Sequence, residues 1–273
     1  MTELADNYRR AAAAIRSADC LLIGAGAGMG VDSGLPDFRG PEGFWRAYPP
    51  FRGRKFQEMS TPHWFETDPS LAWGFFGHRM NLYRDAVPHA GFQILKRWAE
   101  RLPLNAFVFT SNVDGQFQKA GFDPDQIIEC HGSIHQLQCT SPCHDEVWSA
   151  DNVRLEVDDA TVRTQSDFPR CHRCAKIARP NILMFGDHRW IARRSELQEL
   201  RYLKWLRKAD QARLVTIELG AGLAVPTVRY ECECRPGTLI RINPREAEVP
   251  QGGISLPVGA LEALREIDAR IDD

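Results

Sequence analysis

Short apolar runs that alternate with amphipathic segments, a glycine-rich turn directly after the first run, and a cysteine-bearing stretch that breaks the rhythm predict an α/β protein. Its expected architecture is a doubly wound parallel sheet with two insertions. The runs Cys20 to Ile23, Phe107-Val108-Phe109 and Ile127-Ile128 are apolar throughout, and Leu214 to Leu219 and Leu239 to Ile242 mostly so, as strands buried on both faces require. Ala11 to Ala18 reads as the end of a helix, and Phe92 to Arg101 as an amphipathic one with Phe92, Leu95 and Trp98 three apart. The helical spacings of Leu197, Leu200, Leu203 and Leu206, and of Leu261, Leu264 and Ile267, supply further covering layers. Two stretches fall outside this pattern: Tyr48 to Ala86, rich in Trp, Phe, Pro and Arg, and Cys139 to Ala178, which is polar and holds four cysteines. The expected division is 1-47, 87-138 and 179-273 for the sheet domain, 48-86 for a helical insertion and 139-178 for a metal-binding module.

A chain of 273 residues is long enough to bury a large core and carry a small inserted module. Its 34 basic and 36 acidic residues leave a formal charge of −2, so no global field draws it to nucleic acid or a membrane, and neither partner is expected. The N-terminal stretch, with Glu3, Asp6, Arg9 and Arg10 around alanine runs, lacks the apolar core of an export signal, and no run approaches the ~18 apolar residues of a spanning helix. The expectation is a cytoplasmic protein. Eight cysteines in such a chain point to metal ligation by the clustered ones rather than to a disulfide framework. Cys20 and Cys130 sit in apparent strands as buried thiols, and Cys232 and Cys234 read as neighbours on a strand edge.

The richest segment runs from Gly26 to Gly40, GAGMGVDSGLPDFRG, immediately after the first strand. Closely spaced glycines at a strand end let the backbone approach a diphosphate, whose charge meets free N–H groups at the following helix N-terminus. That marks a dinucleotide site. The third glycine, however, is misplaced for the fingerprint of hydride-transferring enzymes, and Asp37-Phe38-Arg39 adds an acid, an aromatic face and a guanidinium beside the loop.

A second constellation pairs Cys139-Thr-Ser-Pro-Cys143 with Cys171-His-Arg-Cys174 across 27 residues. Each pair can grip one metal from a tight turn, and four thiolates close a tetrahedron with no position for water, the mark of one structural zinc ion. His144 and His172 lie beside these ligands. A third constellation comprises Thr110-Ser111-Asn112-Val113-Asp114-Gly115 after one strand and Glu129-Cys130-His131-Gly132-Ser133 after another. Polar residues at the carboxyl ends of parallel strands point into the ligand crevice of an open α/β sheet. For Asn112 and Asp114 helix capping near Gly115 is the alternative.

With these motifs in register, the chain from the glycine loop to Ile242-Asn243 resembles the sirtuins, NAD-consuming protein deacylases with a Rossmann-like sheet domain, a zinc module and a helical insertion. The resemblance implies NAD as co-substrate and an acylated protein as partner. It places the diphosphate on Gly26, Ala27 and Gly28, and the nicotinamide near Phe38, Asn112 and Asp114. Asp37, Arg39, Ser111, Gly220, Ala221, Gly222 and Asn243 belong to the same cofactor site, with Asn243 near the adenosine. His131 is the implied general base, aided by Asn112. Arg179-Pro180-Asn181-Ile182-Leu183-Met184-Phe185-Gly186-Asp187 looks like the wall of the acyl-lysine cleft, where Ile182, Leu183, Phe185 and Gly186 would meet an extended substrate by strand addition, although the run also reads as an ordinary sheet strand. Phe76 and Arg79 align with the tyrosine and arginine by which some sirtuins clasp acidic acyl chains, so uncharged acyl groups are the expected preference.

The chain also departs from the family pattern. Gly30 stands where serine is usual, Ser111 where glutamine is usual, and Gly220-Ala221-Gly222-Leu223 replaces a segment rich in threonine and serine. Each swap removes a hydrogen-bonding group worth about 1 kcal/mol, which predicts weaker or redirected cofactor contacts. NAD-dependent lysine deacylation, giving nicotinamide and O-acyl-ADP-ribose, is the leading reading. An ADP-ribosyltransferase or NAD glycohydrolase, and a non-catalytic NAD sensor, are the alternatives.

Overall fold

The computed structural model describes residues 3–36 and 40–272. In chain order the labelled elements begin with α1 (Glu3–Ser17), β1 (Cys20–Ala25), α2 (Gly40–Ala47), α3 (Phe56–Met59), α4 (His63–Thr67), α5 (Pro69–Asp85) and α6 (Ala90–Glu100). There follow β2 (Ala106–Thr110), α7 (Gln116–Lys119), β3 (Ile127–Glu129), β4 (Gly132–Cys139), β5 (Trp148–Ser149), β6 (Val157–Asp158), β7 (Arg163–Thr164) and β8 (Ala178–Ile182). The chain closes with α8 (Arg193–Ala209), β9 (Leu214–Leu219), α9 (Thr227–Glu233), β10 (Thr238–Ile242), β11 (Ile254–Leu256) and α10 (Ala260–Asp268).

Six strands form one sheet in the order β11-β10-β9-β1-β2-β3, and every pairing in it is parallel. Successive side chains of a strand leave opposite faces. Leu21 and Ile23 therefore join Val108, Ile217 and Ile240 in a core that includes Ile15, Trp98 and Leu264 of α1, α6 and α10, while Cys20 and Leu22 join Phe107 and Phe109 against Tyr202, Leu206 and Val228 of α8 and α9. The doubly wound expectation holds. Helix α9 comes close to β1 because residue 24 has no side chain: a Cβ there would lie 2.2 Å from Cys232 Sγ.

Packing corrects several details. Strands β4 and β8 pair antiparallel with each other in a separate three-stranded sheet with β5, so the Ile182 run is not part of the parallel sheet. Their residues Ile134, Leu137 and Ile182 enter a second core with Trp73, Phe75 and Phe76 of α5, and Leu35 and Phe44 pack there too. The second core thus draws residues from both sides of the boundaries at 47/48, 138/139 and 178/179. Cys232 is buried on α9 and Cys234 is exposed at its end, so neither lies on a strand. On α8 the core-facing residues are Ser195, Gln198, Tyr202, Leu206 and Ala209, whereas Leu197, Leu200 and Leu203 face outward.

Candidate active site

Strand order reverses direction between β1 and β9, and ligands of open α/β sheets bind at the carboxyl ends of such a switch point. The loops that leave β1 and β9 there are the glycine loop and the Gly220-Ala221-Gly222 segment. They are stitched together: Gly26 N–H donates to Leu219 O at 2.9 Å and Gly28 N–H to Gly220 O at 3.1 Å. A Cβ on Gly26 would sit 2.7 Å from Ala221 Cα, and one on Gly220 2.4 Å from Gly28 Cα. Gly220 also has φ +58°, so a glycine there satisfies both the turn and the close approach. At residue 30 an added Cβ would come within 3.1 Å of Leu35, so that departure from the family pattern also has a packing reason.

A cavity of about 1120 Å³ opens at this crevice and continues between the two lobes. Gly26, Ala27, Ser111, Asn112, Asp114, His131, Ala221 and Gly222 line it together, so residues far apart in sequence converge as their strand-end positions require. Gly28 and Gly220 stand behind that lining. Asn243 is fully buried, with its amide donating to Ala221 O at 2.8 Å and its oxygen accepting from the N–H groups of Arg245 and Glu246; it shapes the loop from behind. Asp37, Phe38 and Arg39 lie outside the described residues.

Asn112 projects across the glycine loop, its amide donating to Gly26 O at 3.0 Å. Asp114 accepts from Gln116 N–H at 3.0 Å, so it does cap the short α7 while its carboxyl lines the cavity. Burial, with Glu129 nearby, outweighs that N–H and Arg79 and pushes the Asp114 carboxyl up to about 6. His131 is held below the ordinary imidazole value by burial, partly offset by its hydrogen bond to the Ser111 carbonyl. One ring N–H is thereby occupied, and the other nitrogen keeps a lone pair at neutral pH. His135, which the sequence did not single out, contacts the Asp114 carbonyl through Nε2 at 2.9 Å.

The raised Asp114 value has a stability consequence. A carboxyl that binds its proton more tightly when folded costs stability once ionised; the cost is absent below about pH 4 and complete above about pH 6. Discounted for partial exposure, it is about 2 kcal/mol at pH 7. Asp114→Asn keeps an oxygen for the Gln116 N–H and removes the charge. Thermal melts of the variant are expected to rise by roughly 5 °C at pH 7 and to match the wild type at pH 4; equal melting at both values would refute the assignment.

The far wall of the cavity follows β8. Leu183 N–H donates to His131 O at 3.0 Å and Phe185 N–H to Ser60 O at 2.9 Å, tying this segment to both lobes, and both side chains are 39% exposed. Ile182, Leu183, Phe185 and Gly186 all line the cavity. Behind them the fully buried Arg179 and Asp187 side chains meet at 2.7 Å, and Arg179 also donates to Ile182 O, closing a loop around the four residues. Residues eight apart meet here through a turn that sequence periodicity does not report.

At the helical end the alignment-based pair changes. Phe76 is buried against Phe65 and Phe75 and does not reach the cavity. Arg79 does, and its phenol comes from Tyr83, one helical turn later: Arg79 Nε and Nη2 donate to the Tyr83 hydroxyl at 3.2 and 3.1 Å. The guanidinium lies 5.4 to 5.6 Å from the ring centroids of Phe56, Phe75, Phe76 and Tyr83.

The four module cysteines converge away from this cavity. Their Sγ atoms all lie within 4.8 Å of one another, with Cys139 to Cys174 and Cys143 to Cys171 at 3.6 Å. Thiolates about 2.3 Å from one zinc ion stand about 3.8 Å apart, whereas a disulfide needs about 2 Å, so the set fits the metal. His144 does not replace a ligand. Its Nδ1 accepts the Glu146 N–H at 3.1 Å, which leaves Nε2–H to donate to Cys171 Sγ at 3.3 Å. Although burial opposes it, the N–H groups of Cys174 and Arg173 together with His144 bring the Cys171 thiol down to about 5, favouring the thiolate that binds metal.

The Sir2 family model matches residues 26–211. Over 226 residues the chain is 32% identical to an NAD-dependent protein deacylase of Pyrococcus abyssi, covering 82% of this chain and 81% of that protein. Over 251 residues it is 29% identical to an NAD-dependent protein deacylase of Thermococcus kodakarensis, covering 91% and 89%. Among solved structures, a mutant Sir2 homologue in complex with ADP-ribose superposes with a TM-score of 0.71 at 25% identity, covering 96% of each chain. A Sir2 homologue in complex with NAD gives 0.71 at 24% identity, covering 96% of this chain and 93% of the other. The glycine loop, the His131 crevice and the cysteine cluster all fall within the matched span, and the chain belongs to the Sir2 family.

Proposed function

We propose that the protein removes acyl groups from protein lysine side chains at the expense of NAD, releasing nicotinamide and O-acyl-ADP-ribose. The observation that carries this is His131: a neutral imidazole with one nitrogen committed to the Ser111 carbonyl and the other available, on the wall of a cavity shared by the glycine loop and the exposed Leu183 to Phe185 segment after β8. The deacylase relatives support the same reading. NAD supplies the ribose carbon that accepts the acyl oxygen and the hydroxyl that later carries the acyl group.

His131 accepts the proton of that hydroxyl. Asn112 and Asp114 hold the nicotinamide end against the strand ends, Asp114 with a carboxyl that shares its proton near neutral pH. Gly26, Ala27, Ala221 and Gly222 face the phosphates and adenosine, with Gly28, Gly220 and Asn243 fixing their backbone. Ile182, Leu183, Phe185 and Gly186 receive the substrate backbone and lysine stem, between the sheet domain and a smaller lobe formed by the helical insertion and the zinc module. Among the described residues no helix is long and apolar enough to cross a membrane. The charge balance is in keeping with a cytoplasmic protein that binds acylated protein and not nucleic acid.

Incubation with NAD and one peptide bearing acetyl, longer apolar or succinyl lysine tests the proposal. Nicotinamide release is expected only with acylated peptide. Release without peptide would mark a glycohydrolase, ADP-ribose on protein a transferase, and binding without turnover a sensor. Arg79 already spends its Nε and Nη2 donors on the Tyr83 phenol, so a succinyl carboxylate that takes them over gives up about one net hydrogen bond, and kcat/KM for apolar acyl groups is expected to exceed that for succinyl by roughly fivefold. A succinyl preference lost in Arg79→Met would reverse this order.

A further inference from the structure

The outward face of α8 carries an uncovered apolar stripe. Leu197, Leu200 and Leu203 are 51%, 64% and 45% exposed, three large apolar side chains in a row on a helix whose opposite side already packs on the sheet. Exposed apolar groups in line along a helix lower the free energy when covered, at about 25 cal/mol per Å². The charges around them are ordered. Glu196 and Glu199 flank the stripe toward the N-terminus, and Lys204, Arg207 and Lys208 toward the C-terminus; all five are exposed and none forms an ion pair among the described residues. The other α8 arginines are engaged, Arg193 with Asp145, Arg194 with Glu129 and Arg201 with Asp125. Acids first and bases last also suit the helix dipole, but that does not account for three exposed leucines between them.

We propose that two copies of this chain associate through α8, antiparallel about a two-fold axis midway between Leu200 and Leu203. An isologous contact brings each patch onto its own rotated image, so a face that is acidic at one end, apolar in the middle and basic at the other is complementary to itself. Leu200 then packs on Leu203 of the partner subunit, and Leu203 on Leu200 of the partner subunit. Glu196 faces Arg207 of the partner subunit, and Glu199 faces Lys204 of the partner subunit. A single helix pair sits near the low end of specific interfaces, roughly 1,000 Å², so the dimer dissociates in the micromolar range. The acyl-lysine cleft lies on other elements and stays open.

Sedimentation velocity of the intact protein from about 1 to 100 µM reads the equilibrium directly over the range such an interface implies. Leu200→Glu is expected to raise the dimer dissociation constant at least tenfold while leaving turnover of acylated peptide unchanged. Glu196→Lys/Glu199→Lys, all basic on this face, and Lys204→Glu/Arg207→Glu, all acidic, are each expected to be monomeric alone and to associate when mixed at least as tightly as the wild type. A wild type that stays monomeric throughout, a dimer indifferent to Leu200→Glu, or charge variants that fail to pair on mixing would overturn the proposal.

Discussion

His131→Ala is expected to lower deacylation by roughly two to four orders of magnitude, the range for removal of a positioned general base, while NAD binding and melting temperature change little. Both expectations follow from position: the ring stands on the cavity wall, and among the described residues its hydrogen bond is to the Ser111 carbonyl, at a loop that Asn112 and the strand pairing hold independently. The pH profile separates a base from a shape-filling residue. A base works unprotonated, and burial holds this imidazole below its ordinary 6.5, so wild-type kcat/KM should be flat at neutral pH and fall on acidification through a midpoint under about 6.5. In the alanine variant that limb should vanish. A retained acid limb with unchanged turnover would move the base elsewhere.

The second large effect concerns the metal. Purified protein is expected to hold about one zinc per chain, and Cys171→Ser to lose it. Of the four thiols, Cys171 receives the most support, from the N–H groups of Cys174 and Arg173 and from His144. Binding at four-thiolate sites is worth about 10–16 kcal/mol in isolated modules, more than most domains have in total stability. The loss should therefore melt the module, and with it the β4–β8 pairing that carries the exposed Leu183–Phe185 edge. Metal analysis, proteolysis within residues 144–170 and the KM for peptide would report it together. A metal-free preparation with full activity and an intact module would refute the structural assignment.

The parallel sheet was legible because each of its longer strands is a mostly apolar run, interrupted in β9 by Thr216 and Glu218 and in β10 by Arg241, and each run is followed by glycine or polar residues. The site was legible for the same reason: Gly26, Ser111, His131 and Gly220 each follow a strand, and topology alone gathers them. Helix spacing failed at Leu197, Leu200 and Leu203 because a period of three to four reports a stripe, not whether anything covers it. The core-facing stripe of α8 holds Ser195 and Gln198 beside Tyr202 and Leu206 and looks less apolar than the exposed one. Cys232 and Cys234 alternated in too short a run to separate strand from helix. Tyr83 replaced Phe76 because a helix offers the residue four positions after Arg79 the same access as the one three before it, and only tertiary packing decides which of the two faces the cavity.

The contact between Gly28 and Gly220 bears on how this sequence can change. Restoring a threonine or serine at 220 would drive a Cβ to 2.4 Å from the Gly28 backbone while demanding a left-handed φ of +58°, so the hydroxyl cannot return by one substitution. The glycine loop would first have to withdraw, and it is anchored by Gly26 N–H on Leu219 O and Gly28 N–H on Gly220 O. The two loops are thus coupled: a side chain at position 220 requires the glycine loop to shift. Ser111 and the Leu223 to Glu246 contact, where Leu223 N–H meets the carboxylate at 3.0 Å, lie outside that interlock, and added cofactor contacts are open to them without moving it.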